Sequence, residues 1–83
     1  RRISMELKDF RKLINKIPGA KVKKETFSFG TVVSVLINGK IGNVYSKDDI
    51  PVINKVKKVV LENEINEITI DGERVICSFI KGV

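Results

Sequence analysis

The sequence predicts an α+β domain of chain order αββαββ, with two antiparallel hairpins forming a four-stranded sheet packed with two helices. Three observations point there. Two stretches, 3–17 and 52–60, carry apolar residues at helical spacing. Two dipeptides, Asn38-Gly39 and Asp71-Gly72, sit between β-favouring runs and are strong signals for two-residue hairpins. Finally, 83 residues leave room for one modest core, so a single domain over 1–83 is expected.

The first helix is read from Ser4 as its N-cap. Ile3, Leu7, Phe10, Ile14 and Ile17 form one apolar stripe, widened by Leu13. Lys8, Lys12 and Lys16 recur on the opposite face with Arg11 beside them. Pro18-Gly19 ends the helix, and Lys21-Val22-Lys23-Lys24 reads as a basic connector. Thr26 to Ile37 then reads as one strand rich in β-branched and aromatic residues, with Gly30 as a bulge. Asn38-Gly39 turns it into a returning strand over 40–45.

Ser46-Lys47-Asp48-Asp49 offers caps to a second helix, and Pro51 suits its first turn. Its stripe is Val52, Ile53, Val56, Val59 and Val60, opposite Asn54, Lys55, Lys57 and Lys58. So many β-branched residues favour helix only weakly, and an extended reading of 52–61 stays open. The second hairpin spans 65–70 and 73–80 around Asp71-Gly72.

A two-residue turn sets register, so each hairpin's faces follow. In the second, Ile68, Ile70, Val75, Cys77 and Phe79 share a core face. Glu67, Thr69, Arg74 and Ser78 share the other, with Ile76 as an apolar exception. In the first, Val33, Val35, Ile37 and Val44 line one face, while Val32, Leu36, Ile41 and Tyr45 make a second apolar face, interrupted by Ser34 and Asn43. A bulge or a covering helix would explain that second face, and so would a homodimer or protein-partner interface.

Residue chemistry narrows the function classes. Histidine is absent, and Cys77 is alone and on a core face, so a cysteine zinc site, a disulfide framework and the usual neutral-pH acid/base are missing. Asp48 and Asp49 are read as capping residues, and Glu62, Glu64 and Glu67 as a solvated cluster. Gly39, Gly42 and Gly72 lie in hairpins, not in a phosphate-binding loop. The expectation is a non-enzyme with no cofactor, no metal and no small-molecule substrate.

No apolar run is long enough to cross a membrane, and no signal-peptide pattern follows Arg1-Arg2, so a cytoplasmic protein is expected. Abundant Ile, Lys, Val and Asn, one alanine and no Gln or Trp suit an AT-rich genome, such as a phage's.

Charge supplies the functional colour. The net charge of +6 gathers in Arg1, Arg2, Lys8, Arg11, Lys12, Lys16, Lys21, Lys23 and Lys24, and those from Lys8 to Lys24 are read as one basic strip along the helix and connector. Such a surplus attracts phosphate backbones, although lysines also simply solvate surfaces. Phe10, Phe27, Phe29 and Phe79 are assigned to the core and Tyr45 to the outside, so stacking support is thin. Nucleic-acid association is therefore the leading expectation and a protein-interaction module the alternative.

Overall fold

A strand alternates its side chains between two faces, and the chain from Ala20 onward does so with small apolar and lysine residues. In the computed structural model, which describes residues 4–41 and 45–79, that segment is a strand and not a connector. The described chain runs β1 (Ser4–Glu6), α1 (Leu7–Asn15), β2 (Ala20–Phe27), β3 (Gly30–Ile37), a 3₁₀ turn (Lys47–Asp49), α2 (Ile50–Glu62), β4 (Glu67–Ile70), β5 (Glu73–Arg74) and β6 (Ile76–Cys77).

The α+β class holds, but the single four-stranded sheet does not. The described residues form two three-stranded sheets, ordered β1-β4-β5 and β2-β3-β6. Two parallel pairings that hairpin logic does not reveal produce this arrangement: β1 lies along β4, with Met5 opposite Ile68, and β6 lies along β3, with Ile76 opposite Val32.

The expected helix start at Ser4 is a strand because its side chains are engaged elsewhere. The Ser4 hydroxyl donates to Glu67 Oε2 at 2.6 Å. The Glu6 carboxylate accepts the backbone N–H groups of Asp71 and Gly72 at 3.0 and 2.9 Å, tying β1 to the β4–β5 turn. The helix that follows buries Leu7, Phe10 and Ile14, with Ile17 just beyond it, as the stripe predicts; Ile3 lies outside the described residues.

The first hairpin is also re-registered. β2 and β3 pair antiparallel over their full eight residues, from Ala20 opposite Ile37 to Phe27 opposite Gly30, so the turn is Ser28-Phe29. Asn38-Gly39 does turn, with φ of 51° and 78°, a left-handed pair that suits asparagine followed by glycine. Yet among the described residues the ladder beyond it is a single bridge between Ile37 and Lys40. Lys40 instead reaches Asp49 at 2.8 Å. Gly42, Asn43 and Val44 of the expected returning strand lie outside the described residues.

Helix α2 forms as read, with Pro51 in its first turn, Val56 and Val60 buried, and Lys55, Lys57 and Lys58 exposed. It ends in a Schellman arrangement, Ile65 N–H to Val60 C=O at 3.1 Å and Glu64 N–H to Leu61 C=O at 3.2 Å. The left-handed residue there is Glu64, at φ 51°. The core gathers the α1 stripe, Val56 and Val60, Val33, Val35 and Ile37 of β3, and Ile65 and Ile68. In the closing segment Ile68 is buried and Ile70, Val75, Cys77 and Phe79 pack against the core, the face read from the sequence. Thr69 departs from that reading, being buried on the other side.

Candidate nucleic-acid interface

Residues opposite one another in an antiparallel ladder share a face. On the inner face of the second sheet, Ala20 and Val22 stand with Val35 and Ile37 against the core. Lys24, opposite Val33, shares that parity but is exposed. On the outer face Lys21 pairs with Leu36, Lys23 with Ser34, Glu25 with Val32, and Phe27 with Gly30. Ile76 of β6 joins this face beside Val32 and is 48% exposed. The hydroxyls of Ser34 and Ser78 meet at 3.2 Å across it.

The seven candidate cations are therefore distributed differently from one strip. Lys8, Arg11, Lys12 and Lys16 cover the exposed side of α1, whose other side is core. Lys21 and Lys23 point from the sheet face turned away from that core. All seven are exposed, and among the described residues only Lys23 is in an ion pair, with Glu25 at 3.4 Å. Both partners of that pair are well exposed, so it competes weakly against a phosphate.

The four residues read as a partner interface are not brought together. Val32 and Leu36 lie half-buried on the outer face, but Ile41 is exposed past the Asn38-Gly39 turn. Tyr45 packs against the core. The expected returning strand would have aligned them, but β6 pairs with Val32 and Val33 on the edge of β3 where that strand would lie, while β2 takes the opposite edge.

The aromatic assignment holds for Phe10 and Phe79 and is reversed for the other three rings. Tyr45 is inside, whereas Phe27 and Phe29 are 44% and 70% exposed at the tip of the β2–β3 hairpin. Their rings lie parallel to within 2°, with centroids 5.2 Å apart. The sequence held a usable signal, since Lys21-Val22-Lys23 has the period of a half-buried strand and Ser28-Phe29-Gly30 places glycine where a tight turn closes.

Beside this tip an open groove of about 520 Å³ is lined by Gly30, Thr31, Ile70, Asp71, Glu73, Arg74 and Val75. Its charges are mixed, and Arg74 already faces Glu67 at 3.4 Å, so the groove does not single out an anion. No protein-family model matches this chain, and neither does any curated protein or solved structure.

The one deeply buried carboxylate is Asp49, 1% exposed. It accepts Lys40 Nζ at 2.8 Å, Asn38 Nδ2 at 2.7 Å and the Ser46 N–H at 2.7 Å. The bond from the Lys40 ammonium, then those from Asn38 and Ser46, hold this carboxyl well below the usual carboxylate range, against the opposing effect of burial. It is a fully engaged latch between the Asn38-Gly39 turn and the start of α2, which extends the capping role read for it. Glu62 pairs with Lys58 at 3.7 Å, Cys77 is half-buried, and no group of three His, Cys, Asp or Glu among the described residues could hold a metal. Among the described residues no helix is long and apolar enough to cross a membrane.

Proposed function

We propose that this chain is a small non-catalytic protein that associates with nucleic acid through the lysine-bearing surfaces of α1 and β2. The observation that carries it is the outer face of the second sheet, where β2 extends exposed lysines over a surface turned away from the core. The exposed side of α1 offers a second basic patch. Recognition of this kind is directed at phosphates and is largely indifferent to sequence.

The sheet separates the two patches, so one short ligand meets one of them. Contact through the four α1 cations implies a salt slope of about −3.6 on duplex DNA, and contact through Lys21 and Lys23 on the outer face about −1.4 on a single strand. One continuous strip of seven would give about −6 on duplex. Fluorescence anisotropy across a salt series measures this. Shallow slopes support the two-patch reading, and no binding of duplex or single-stranded probes at about 50 mM salt rejects the proposal.

A protein-interaction module is the second reading. It is favoured by Val32, Leu36 and the half-exposed Ile76 on the same outer face. A chain that self-associates without binding nucleic acid would support this reading.

A further inference from the structure

We infer that the stacked Phe27–Phe29 pair is a platform for an unpaired base, so that the β2 surface takes single-stranded nucleic acid in preference to duplex. This inference rests on the nucleic-acid reading above and adds the form of the ligand.

The fold does not call for these rings. Turn positions favour Gly, Asn, Asp, Ser and Pro, because those residues satisfy or permit turn backbone; a phenylalanine at the second turn position does neither. Phe29 contributes nothing to the buried core and leaves most of its surface in water. Phe27, on the outer face, is half-exposed. Together the two rings form a parallel stack at the end of a hairpin, and a flat ring face accepts any base by stacking.

The charges lie where a backbone would follow. Lys23 and Lys21 share the outer face with Phe27, four and six residues back along β2, about 13 and 20 Å away at strand rise. A few nucleotides stacked at the tip would lay their phosphates toward these lysines. Duplex offers no free base face except at its ends, so the rings add nothing to its binding. Charge complementarity is what favours this occupant over a second copy of the chain, because a copy would bring its own lysines to the same face.

Glu25 is the informative exception. It stands between Lys23 and Phe27 on the outer face and holds Lys23 at 3.4 Å. Removing its charge frees Lys23 and removes a repulsion toward phosphate, so Glu25→Gln should tighten strand binding, a gain that misfolding would not mimic.

The experiment uses three labelled probes at low salt: an oligothymidylate, an abasic sugar-phosphate strand of equal length, and a duplex. The expected result is tighter binding of the base-bearing strand than of the abasic one. Phe29→Ala should remove roughly 5- to 150-fold of that affinity, the range for losing one base-stacking ring, and leave abasic and duplex binding unchanged. Equal binding of the base-bearing and abasic strands, or no effect of Phe29→Ala, overturns the platform while leaving the phosphate reading intact. Failure to bind any probe overturns both. Self-association of the wild type that Phe27→Ala/Phe29→Ala abolishes, by light scattering, assigns the rings to a second copy and overturns the platform.

Discussion

Gly19 is where backbone conformation and the Asp49 latch meet, and a double-mutant cycle can separate the two. Its φ is +90°, and a Cβ built there would lie 2.5 Å from Asn38 Oδ1, where ordinary contact begins near 3.4 Å. At Gly39, φ is +78° and a Cβ would meet nothing within 4 Å. Gly39→Ala therefore carries the cost of a left-handed L-residue alone, about 1–2 kcal/mol. Gly19→Ala carries that cost and also forces Asn38 off its rotamer, adding about 0.5–1.5 kcal/mol. It also breaks the Asn38 hydrogen bond to Asp49. The expected total is about 2–4 kcal/mol, with each kcal/mol lowering Tm by about 4–8 °C in a domain of this size. Urea unfolding of wild type, Gly19→Ala, Asn38→Ala and the double variant measures the coupling. With the Asn38 side chain gone, Gly19→Ala should cost no more than Gly39→Ala. If Gly19→Ala costs the same in both backgrounds, within the roughly 0.3–0.5 kcal/mol expected of independent sites, the close approach is not what constrains Gly19.

Two further outcomes concern stability. The Asp49 carboxyl titrates lower in the folded chain than in the unfolded one, so its contribution is fully present above about pH 4, the unfolded range. It is lost as pH falls below that toward the folded value. Urea midpoints should therefore place Asp49→Asn well below wild type at neutral pH and bring the two together in acid; a gap independent of pH would refute the latch. At the end of α2, Glu64 holds a left-handed position at φ 51°, so Glu64→Gly should stabilise the chain by about 0.5–1 kcal/mol, read as a higher urea midpoint at unchanged slope.

The helices were legible because each carries its own periodic record. The Leu7, Phe10, Ile14 and Ile17 stripe and the Val52 to Val60 stripe both face the core. The Asp71-Gly72 turn was legible for the same local reason. The sheets were not, because their organisation depends on partners far along the chain. Ser4 resembles an N-cap until Glu67 supplies a different acceptor, and 30–37 resembles half of an Asn38-Gly39 hairpin until β6 takes part of that edge and β2 the opposite one. Among the described residues the hairpin edge of β3 carries the Ile37–Lys40 bridge and the short pairing with β6, while the eight-residue ladder with β2 holds the other edge. Of the candidate site, the exposed cations were readable as charge, but their division between two surfaces was not. The exposed rings were misassigned because aromatic residues in a β-favouring run are usually core. Only the true turn position brings Phe29 into solvent.

The segment that leaves one sheet at Arg74 and enters the other at Ile76 has a consequence for synthesis. Val75 still donates its N–H to Ile68 C=O at 3.1 Å, and Ser78 donates to Val33 C=O at 3.2 Å, so this short stretch closes both sheets. On the ribosome, α1 and the β2–β3 hairpin can form early, but Val32 and Val33 on the second edge of β3 meet their β6 partners only when Ile76 and Cys77 have emerged. Until then a valine-rich strand offers open backbone to any neighbouring chain, guarded only on its far side by the lysines of β2. The emergence of β6 thus sets when this edge of a nascent chain stops being a template for aggregation, and any slowing of translation before that point lengthens the exposure.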